Sequence, residues 1–196
     1  MSAAPPPQFT IQHVRTRQDA AAIRDAFAVA YCDVFSGEPY NELFSLDEAA
    51  GVFDQLIATP RNITLVALAP TGEVAAFGVA VPMESRPDIA RYLRGLVPVE
   101  HTYYLTELGV VPAHRGYGVG RALVRERILH MDLDRCTHVV LRVSASDEDR
   151  SKRMYAGMGF EDMGVYMDVP AMRTDGTFRT DRRLFLSRVL SQVDLE

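Results

Sequence analysis

The sequence has no tryptophan, a single lysine, two cysteines and no long hydrophobic run. Cys32 and Cys136 are too few and too far apart for a disulfide framework or a zinc site, so we expect reduced thiols and no metal. The longest apolar runs, residues 63–69 and 74–83, have the length of strands, whereas a membrane-spanning helix needs roughly 20 apolar residues. Residues 1–7 are small and Pro-rich, without the basic start and apolar stretch of a signal peptide. We therefore expect a flexible N-terminal lead and a cytoplasmic protein.

The charge balance is acidic, with a net charge of −5 over 196 residues. Because proteins that bind nucleic acid neutralise phosphates with a surplus of lysine and arginine, we expect no nucleic acid partner. Since no segment is long enough to cross a bilayer, we expect no membrane partner either. The composition, 47% hydrophobic and 24% charged, is typical of a globular domain with a buried core. Whether two copies form a homodimer stays open.

Hydrophobic periodicity predicts one α+β domain over residues 8–196. Thr16 with Asp19, and Ser45 with Glu48, have the spacing of capping boxes and are predicted to begin the first two helices. Later helices are predicted at 86–96, at 149–158 and from the glycine-rich segment to residue 131. The predicted strands are, in chain order, 8–14, 62–69, 73–81, 103–111, 137–143 (read as fully apolar), 161–169 and 178–187.

The segment with the clearest chemical meaning is LGVVPAHRGYGVG, residues 108–120. A strand ends at Pro112, three glycines follow within five residues, and an amphipathic helix begins. Glycine lets the backbone turn with its amides facing inward, and the unpaired amides of a helix start favour an anion. Arg115 adds a fork of donors that matches a phosphate. The segment therefore predicts a phosphate or pyrophosphate site.

Other interpretations of this loop are weaker. A glycine-rich turn can serve only to pack a helix against a strand. The dinucleotide fingerprint needs Gly-x-Gly-x-x-Gly early in a βαβ unit, whereas the glycines here are Gly116, Gly118 and Gly120, after most of the strands. A P-loop is excluded because the Gly-Lys-Ser/Thr ending is missing.

This segment resembles the GNAT superfamily of N-acyltransferases. The family signature Arg/Gln-x-x-Gly-x-Gly/Ala is matched by Arg115, Gly118 and Gly120. The Leu-x-Val-x-Pro pattern that leads into it is matched by Leu108, Val110 and Pro112.

A second family block lies further along the chain. It is a helix with the pattern Ala-x-x-x-Tyr that ends in Gly-Phe, matched by Tyr155, Gly159 and Phe160, with Ser151 at the alanine position. Glu148 stands where the family often has asparagine, so one usual cofactor contact is not carried over.

The resemblance covers residues 8–187 and implies a single GNAT-like domain of the α+β class. Its mixed, mostly antiparallel sheet should have about 6–7 strands flanked by about 4–5 helices. It implies acetyl-CoA as the acyl donor, with the pyrophosphate on the amides of the glycine loop and the pantetheine pairing along a strand edge. The implied cofactor-binding residues are Leu108, Gly109, Val110, Arg115, Gly116, Tyr117, Gly118, Val119 and Gly120.

Transfer to an amine needs a neutral amine to attack the thioester and a proton for the departing thiolate. The resemblance implies that Tyr155 is the acid, although the same tyrosine fits a packing role. Glu107, on the strand that leads into the cofactor loop, is the candidate base, although it also fits a solvent-facing or ion-paired residue. His101 and His114 are weaker candidates for the base.

The resemblance implies that the acceptor binds near the first two helices and the loop that connects them. Carboxylates and aromatic rings there, with Asp33 beside them, suit a cationic amine by charge and by attraction to ring faces. We expect substrate binding by Glu38, Tyr40 and Glu42, and a small cationic amine such as an antibiotic or metabolite. Four alternatives stay open. The acidic segment can be only a solvated loop, the acceptor can be a protein or peptide N-terminus, the acyl group can be longer than acetyl, and the protein can be a regulatory module that only binds acyl-CoA.

Overall fold

A computed structural model describes residues 8–146 and 150–191 of the chain. The expectations for residues 1–7 and for Glu148 lie outside the described residues. The strands are β1 (Thr10–His13), β2 (Ile63–Leu68), β3 (Val74–Pro82), β4 (Thr102–Val110), β5 (His138–Ser144), β6 (Glu161–Met172) and β7 (Phe178–Val189). The helices are α1 (Arg17–Ser36), α2 (Leu46–Ala58), α3 (Pro87–Leu93), α4 (Val119–Leu129) and α5 (Arg150–Ala156).

The predicted α+β fold is confirmed. One seven-stranded sheet has the order β1-β2-β3-β4-β5-β7-β6. Neighbouring strands are antiparallel except β4 and β5, which are parallel. Both predicted capping boxes are present, at Thr16 and at Ser45. None of the described helices is long and apolar enough to span a membrane.

The sheet opens between β4 and β5. Ladder pairs join these strands only from Thr102–His138 to Tyr104–Val140. Beyond Tyr104, β4 pairs with β3 alone among the described strands. There β4 advances three residues, from Tyr104 to Glu107, while β3 advances two, from Val81 to Val79. An extra residue of this kind bends and twists a strand, which accounts for the separation of β4 from β5.

The two faces of the sheet are covered by different helices. On one face, α4 and α5 pack on Leu105 and Leu141. On the other face, α1 and α2 enclose an aromatic group in which the Phe27 ring lies 4.8 Å from Phe53 and 4.7 Å from Phe77. Next to this group, α3 packs on Tyr104 and Phe185 in a further buried cluster. Glu107 lies on this second face.

The loop between α1 and α2 is held down by the β6–β7 hairpin. The Leu43 amide donates to the Met172 carbonyl over 2.9 Å, and the Thr174 amide donates to the Asn41 carbonyl over the same distance. Arg173, only 7% exposed, forms ion pairs with Glu42 and Asp181. These contacts hold the loop against the hairpin.

Candidate active site

The glycine loop has the backbone shape that an anion site needs. Gly116 and Gly118 have φ of 88° and 81°, in the left-handed region that favours glycine. Gly118 is the N-cap of α4, an 11-residue helix whose first amides have no partner within the helix. A β-carbon at either glycine would meet no atom within 4 Å, so the space in front of the loop is open. The loop therefore has room for a phosphate next to a helix start.

Arg115 lies between this loop and the α1–α2 loop. Its Nε donates to the Val110 carbonyl over 3.0 Å, and its Nη1 donates to the Glu38 carbonyl over 3.4 Å. The exposed guanidinium thus ties the end of β4 to the loop after α1. Its contact with a phosphate stays a prediction.

The three strand residues predicted to flank pantetheine differ in what their side chains do. A β-carbon on Gly109 would lie 2.2 Å from Cζ of Phe77, so only glycine fits against that ring. Leu108 and Val110 pack towards the face that α4 covers. Because successive residues of a strand direct their backbone groups to opposite edges and the Val111 amide binds the Ala75 carbonyl on β3, Leu108 and Val110 face the gap between β4 and β5, where a pantetheine chain can pair with them.

Glu107 is half-buried on the α1 face of β4. Burial raises the pKa of its carboxyl to about 7, although the charges of Arg142 and Arg86 oppose the rise. Thr106 donates its hydroxyl to Oε1 over 3.4 Å. A carboxylate with a pKa near neutral is suited to remove a proton from an amine at physiological pH.

Several neighbours of Glu107 were not predicted. Tyr31 is buried on α1, and its pKa is raised far above the usual range by burial and then by Glu107 and Glu42. It therefore stays neutral and keeps a proton to donate. Arg142 lies on β5, in the strand read as fully apolar. Side chains alternate along a strand, so Arg142 lies on the same face as Ser144. This alternation of polar residues could have predicted that β5 has a polar position on this face.

Tyr155 lies on α5 with 4% of its surface exposed, and its ring meets Phe160 edge-on at 5.3 Å. Burial lowers the pKa of Arg127, and the neighbouring Tyr155 hydroxyl opposes that fall. Arg127 is itself fully buried and donates from Nη1 to the carbonyls of Val79 and Glu107, each over 2.9 Å. The guanidinium thus bridges the bulged part of β4 and the candidate acid. Packing by Tyr155 is observed, and its role as acid stays a prediction.

The two histidines considered as weaker bases lie at opposite ends of β4. His114 pairs through Nε2 with Glu73 over 2.9 Å. His101 contacts the Arg135 carbonyl through Nδ1 over 2.9 Å. Of the three candidate bases, Glu107 is the one that lies beside the free edge of β4.

A cleft of about 290 Å³ opens on the α1 face of the sheet, between the α1–α2 loop, the β6–β7 hairpin and the end of β5. Tyr40 lines it, whereas Glu42 is tied up by ion pairs to Arg183 at 3.2 Å and to Arg173. Glu38 and Asp33 are exposed. The cleft is lined by Pro39, Tyr40, Ser144, Ala145, Ser146, Asp181, Arg182 and Arg183. The three predicted substrate-binding residues therefore occupy different settings, and Tyr40 alone among them lines the cleft.

Comparisons with known proteins identify the family and the fold. The family model described as the acetyltransferase (GNAT) family matches residues 21–160. A search of curated protein sequences finds no significant match.

Several solved structures share the fold at low sequence identity. A ribosomal-protein-alanine N-acetyltransferase from Brucella melitensis has a TM-score of 0.64 at 21% identity, over 92% of this chain and 99% of that chain. A ribosomal-protein-S18-alanine N-acetyltransferase from Escherichia coli has a TM-score of 0.61 at 17% identity, over 94% of this chain and 96% of that chain. A spermidine N-acetyltransferase variant from Vibrio cholerae has a TM-score of 0.57 at 13% identity, over 93% and 94%.

Proposed function

The chain belongs to the acetyltransferase (GNAT) family, and on that premise we propose that it transfers an acetyl group from acetyl-CoA to the primary amine of a small molecule. Members of this family are acetyltransferases, so the chain is an enzyme with acetyl-CoA as its donor. The observation that supports transfer to a primary amine is the position of Glu107. Its carboxyl, with a pKa of about 7, lies where β4 leaves β5 and the backbone edge is free.

The residues present fit the donor. The open space before Gly116 and Gly118 suits the pyrophosphate, and the backbone of residues 108–110 suits the pantetheine. When bound, acetyl-CoA supplies an acetyl group activated as a thioester. Arg115, next to the loop, adds positive charge for the phosphates.

Two residues of the chain move protons in the proposed reaction. Glu107 takes a proton from the ammonium group of the acceptor, which leaves a neutral amine able to attack. Tyr155 gives its hydroxyl proton to the departing thiolate. Arg127, which contacts the Glu107 carbonyl and neighbours Tyr155, holds the strand and the tyrosine in position.

The size of the cleft supports a small acceptor. At about 290 Å³ it is at the lower end of the range of small-molecule pockets, and the α1–α2 loop and the β6–β7 hairpin close over it. We propose that the acceptor is cationic at its amine, as an antibiotic or metabolite amine is before it loses its proton. Tyr40 lines the cleft, the exposed Glu38 precedes the lining residue Pro39 in the chain, and Glu42 acts by holding Arg183.

The test is an assay of free thiol released from acetyl-CoA with a panel of amino acids, aminosugars, polyamines and short peptides. We expect thiol release that depends on, and saturates with, at least one small amine. Release that occurs with peptides alone would overturn the small-molecule acceptor. Thiol release at the same rate with and without every amine would overturn the transfer itself.

A further inference from the structure

We propose that the acceptor carries an anionic group, such as a carboxylate, beside its amine, and that Arg142 binds this group while Glu107 takes the amine. The inference deepens the proposed function and rests on it. It assigns the acceptor to the class of amino acids and related zwitterions, rather than to polyamines or aminosugars.

The first observation is that the hydrogen-bonding capacity of Arg142 is poorly used. Its Nη1 donates to Sδ of Met167 over 3.3 Å, and a thioether sulfur is a weak acceptor. In the described part of the chain, no carboxylate lies within ion-pair distance of this half-buried guanidinium. A charged fork of five donors held in this way favours a carboxylate that accepts two hydrogen bonds at once.

The second observation is a hydroxyl beside Arg142 that lacks a partner. Tyr104 is fully buried, and its hydroxyl has no hydrogen-bond partner among the residues the structure describes. Burial raises the pKa of this hydroxyl to about 12, and the charges of Arg142 and Arg86 are the main influences that oppose the rise. A neutral tyrosine is a donor, so a second unused donor lies next to the first. Buried donors without partners are rare, which makes the pair a candidate site for an acceptor group.

The third observation is that the neighbouring carboxylates are already paired. Asp88 binds Arg86 over 2.8 Å. Glu42 and Asp181 are shared between Arg173 and Arg183.

The described charged groups on this face that are not used in ion pairs carry more positive than negative charge. Burial disfavours the charged form of Glu107, whereas Arg142 is a cation, and Arg182 lines the cleft as a further cation stacked on Tyr166 at 4.4 Å. The surplus of positive charge suits an anion.

The position of the two residues also fits a zwitterion. Glu107 lies on β4 and Arg142 on β5, on the same face and on either side of the gap between the strands. Their charges act on one another strongly enough that Arg142 is the main influence opposing the rise of the Glu107 pKa. An acceptor whose carboxylate lies on Arg142 therefore presents its amine to Glu107, at the edge where the thioester arrives.

The step balances without another reactant. The amine nitrogen forms a bond to the acetyl carbon, and the bond from that carbon to sulfur breaks. The ammonium proton goes to Glu107, and the thiolate takes a proton from Tyr155. The second proton that the nitrogen loses on becoming an amide returns to Tyr155 and restores its hydroxyl. The anionic group of the acceptor stays unchanged and only fixes its position.

The experiment compares amino acids with their own carboxamides, which keep the amine and the side chain and lose the negative charge. We expect wild-type kcat/KM to favour the acid over the amide by about 10–100-fold, the scale of a charge-assisted hydrogen-bond pair. Arg142→Gln should reduce this ratio to near one, mainly by raising KM for the acid, and Arg142→Lys should restore part of it. Arg17→Gln is the matched control, since this exposed residue starts α1 about 30 Å from the end of the helix that faces the site.

A binding measurement separates this inference from the proposed function. Calorimetry with the CoA-saturated protein compares an amino acid, its amide and spermidine, and it needs no turnover. Tighter binding of the acid, lost in Arg142→Gln and kept in Arg17→Gln, supports the inference. Equal binding of acid and amide, or tighter binding of spermidine, overturns it and leaves acetyl transfer intact. Failure of thiol release with every amine overturns the proposed function, whatever the calorimetry shows.

Discussion

At the scale of single residues, Glu107 combines two properties that a base requires. It lies at the point where β4 turns away from β5, and burial brings its pKa to about 7. A pKa that is raised in the folded state also has a cost for stability. The contribution of the carboxyl to folding is fully present below the unfolded value of 4.5 and is lost as the pH rises through about 7.

Glu107→Gln therefore separates activity from stability. We predict that wild-type kcat rises with pH around 7, and that the variant is slower by about 10² or more with a flat profile. At pH 8 the variant should be more stable than wild type by on the order of 1–3 kcal/mol, and at pH 4 this difference should vanish. Rates at several pH values and thermal melts check both. A variant with wild-type kcat would remove Glu107 from the chemistry.

Tyr155 is tested by removing its hydroxyl alone. Tyr155→Phe keeps the ring that packs on Phe160, so acetyl-CoA affinity should change little, whereas loss of the hydroxyl beside the buried Arg127 should lower the melting temperature. We predict a fall in kcat of about 10²-fold, the scale of a positioned proton donor. Tyr92→Phe, on α3, is the control for the loss of a tyrosine hydroxyl. If both variants turn over like wild type, Tyr155 is a packing residue.

The sequence predicts some residues of the site better than others. Glu107 and Tyr155 stand next to motifs, so their places on β4 and α5 follow from local pattern. The surroundings of Glu42 do not, because its partner Arg183 is 141 positions away in the chain. Arg142 is an intermediate case. Its face on β5 follows from the alternation of side chains, but its neighbours Met167 and Tyr104 are distant in the chain and could not be predicted.

At the scale of elements, helix starts are predicted well because their signals are local. Thr16 and Ser45 cap the helices that the sequence assigns to them. The β6 strand runs to Met172, beyond the predicted end at residue 169, because pairing with β7 extends it through a stretch with alternate exposed residues. The bulge opposite Val79 and Val81 was not predicted, since register depends on which strands become neighbours.

The glycine loop gives a prediction about the donor. Acetyl-CoA at about 100 times its Kd should stabilise the folded protein by about 2.7 kcal/mol, because it binds only that state, while NAD and ATP should do much less. Gly118→Asp puts bulk and negative charge where phosphate is expected, so the thermal shift should disappear. Differential scanning fluorimetry checks both.

Gly72→Asp is the matched control for this variant. Gly72 lies in the β2–β3 turn with φ of 88°, so aspartate there meets a similar backbone strain in open space. The melting temperature of this variant should fall, but the shift with acetyl-CoA should remain. Equal stabilisation of the wild type by NAD, or a normal shift in Gly118→Asp, would contradict a donor site at this loop.

At the scale of the whole molecule, the sheet divides two tasks. In the proposed reaction the glycine loop, α4 and Tyr155 on α5 serve the donor, and the α1 face with its arginines and loops serves the acceptor. The gap between β4 and β5 connects the two, and Glu107 and Arg127 lie at that connection. The family relationship explains the common scaffold, and we propose that the cleft formed by the α1–α2 loop and the β6–β7 hairpin selects the acceptor.

The most direct measurement is mass spectrometry of the acceptor after reaction with acetyl-CoA that carries a stable isotope in its acetyl group. We predict that the label appears on the amine nitrogen of a small amino acid, and that Glu107→Gln slows its appearance by about 10² or more. Label found only in free acetate, released at the same rate by both proteins and regardless of the amine present, would contradict transfer to an amine at this site.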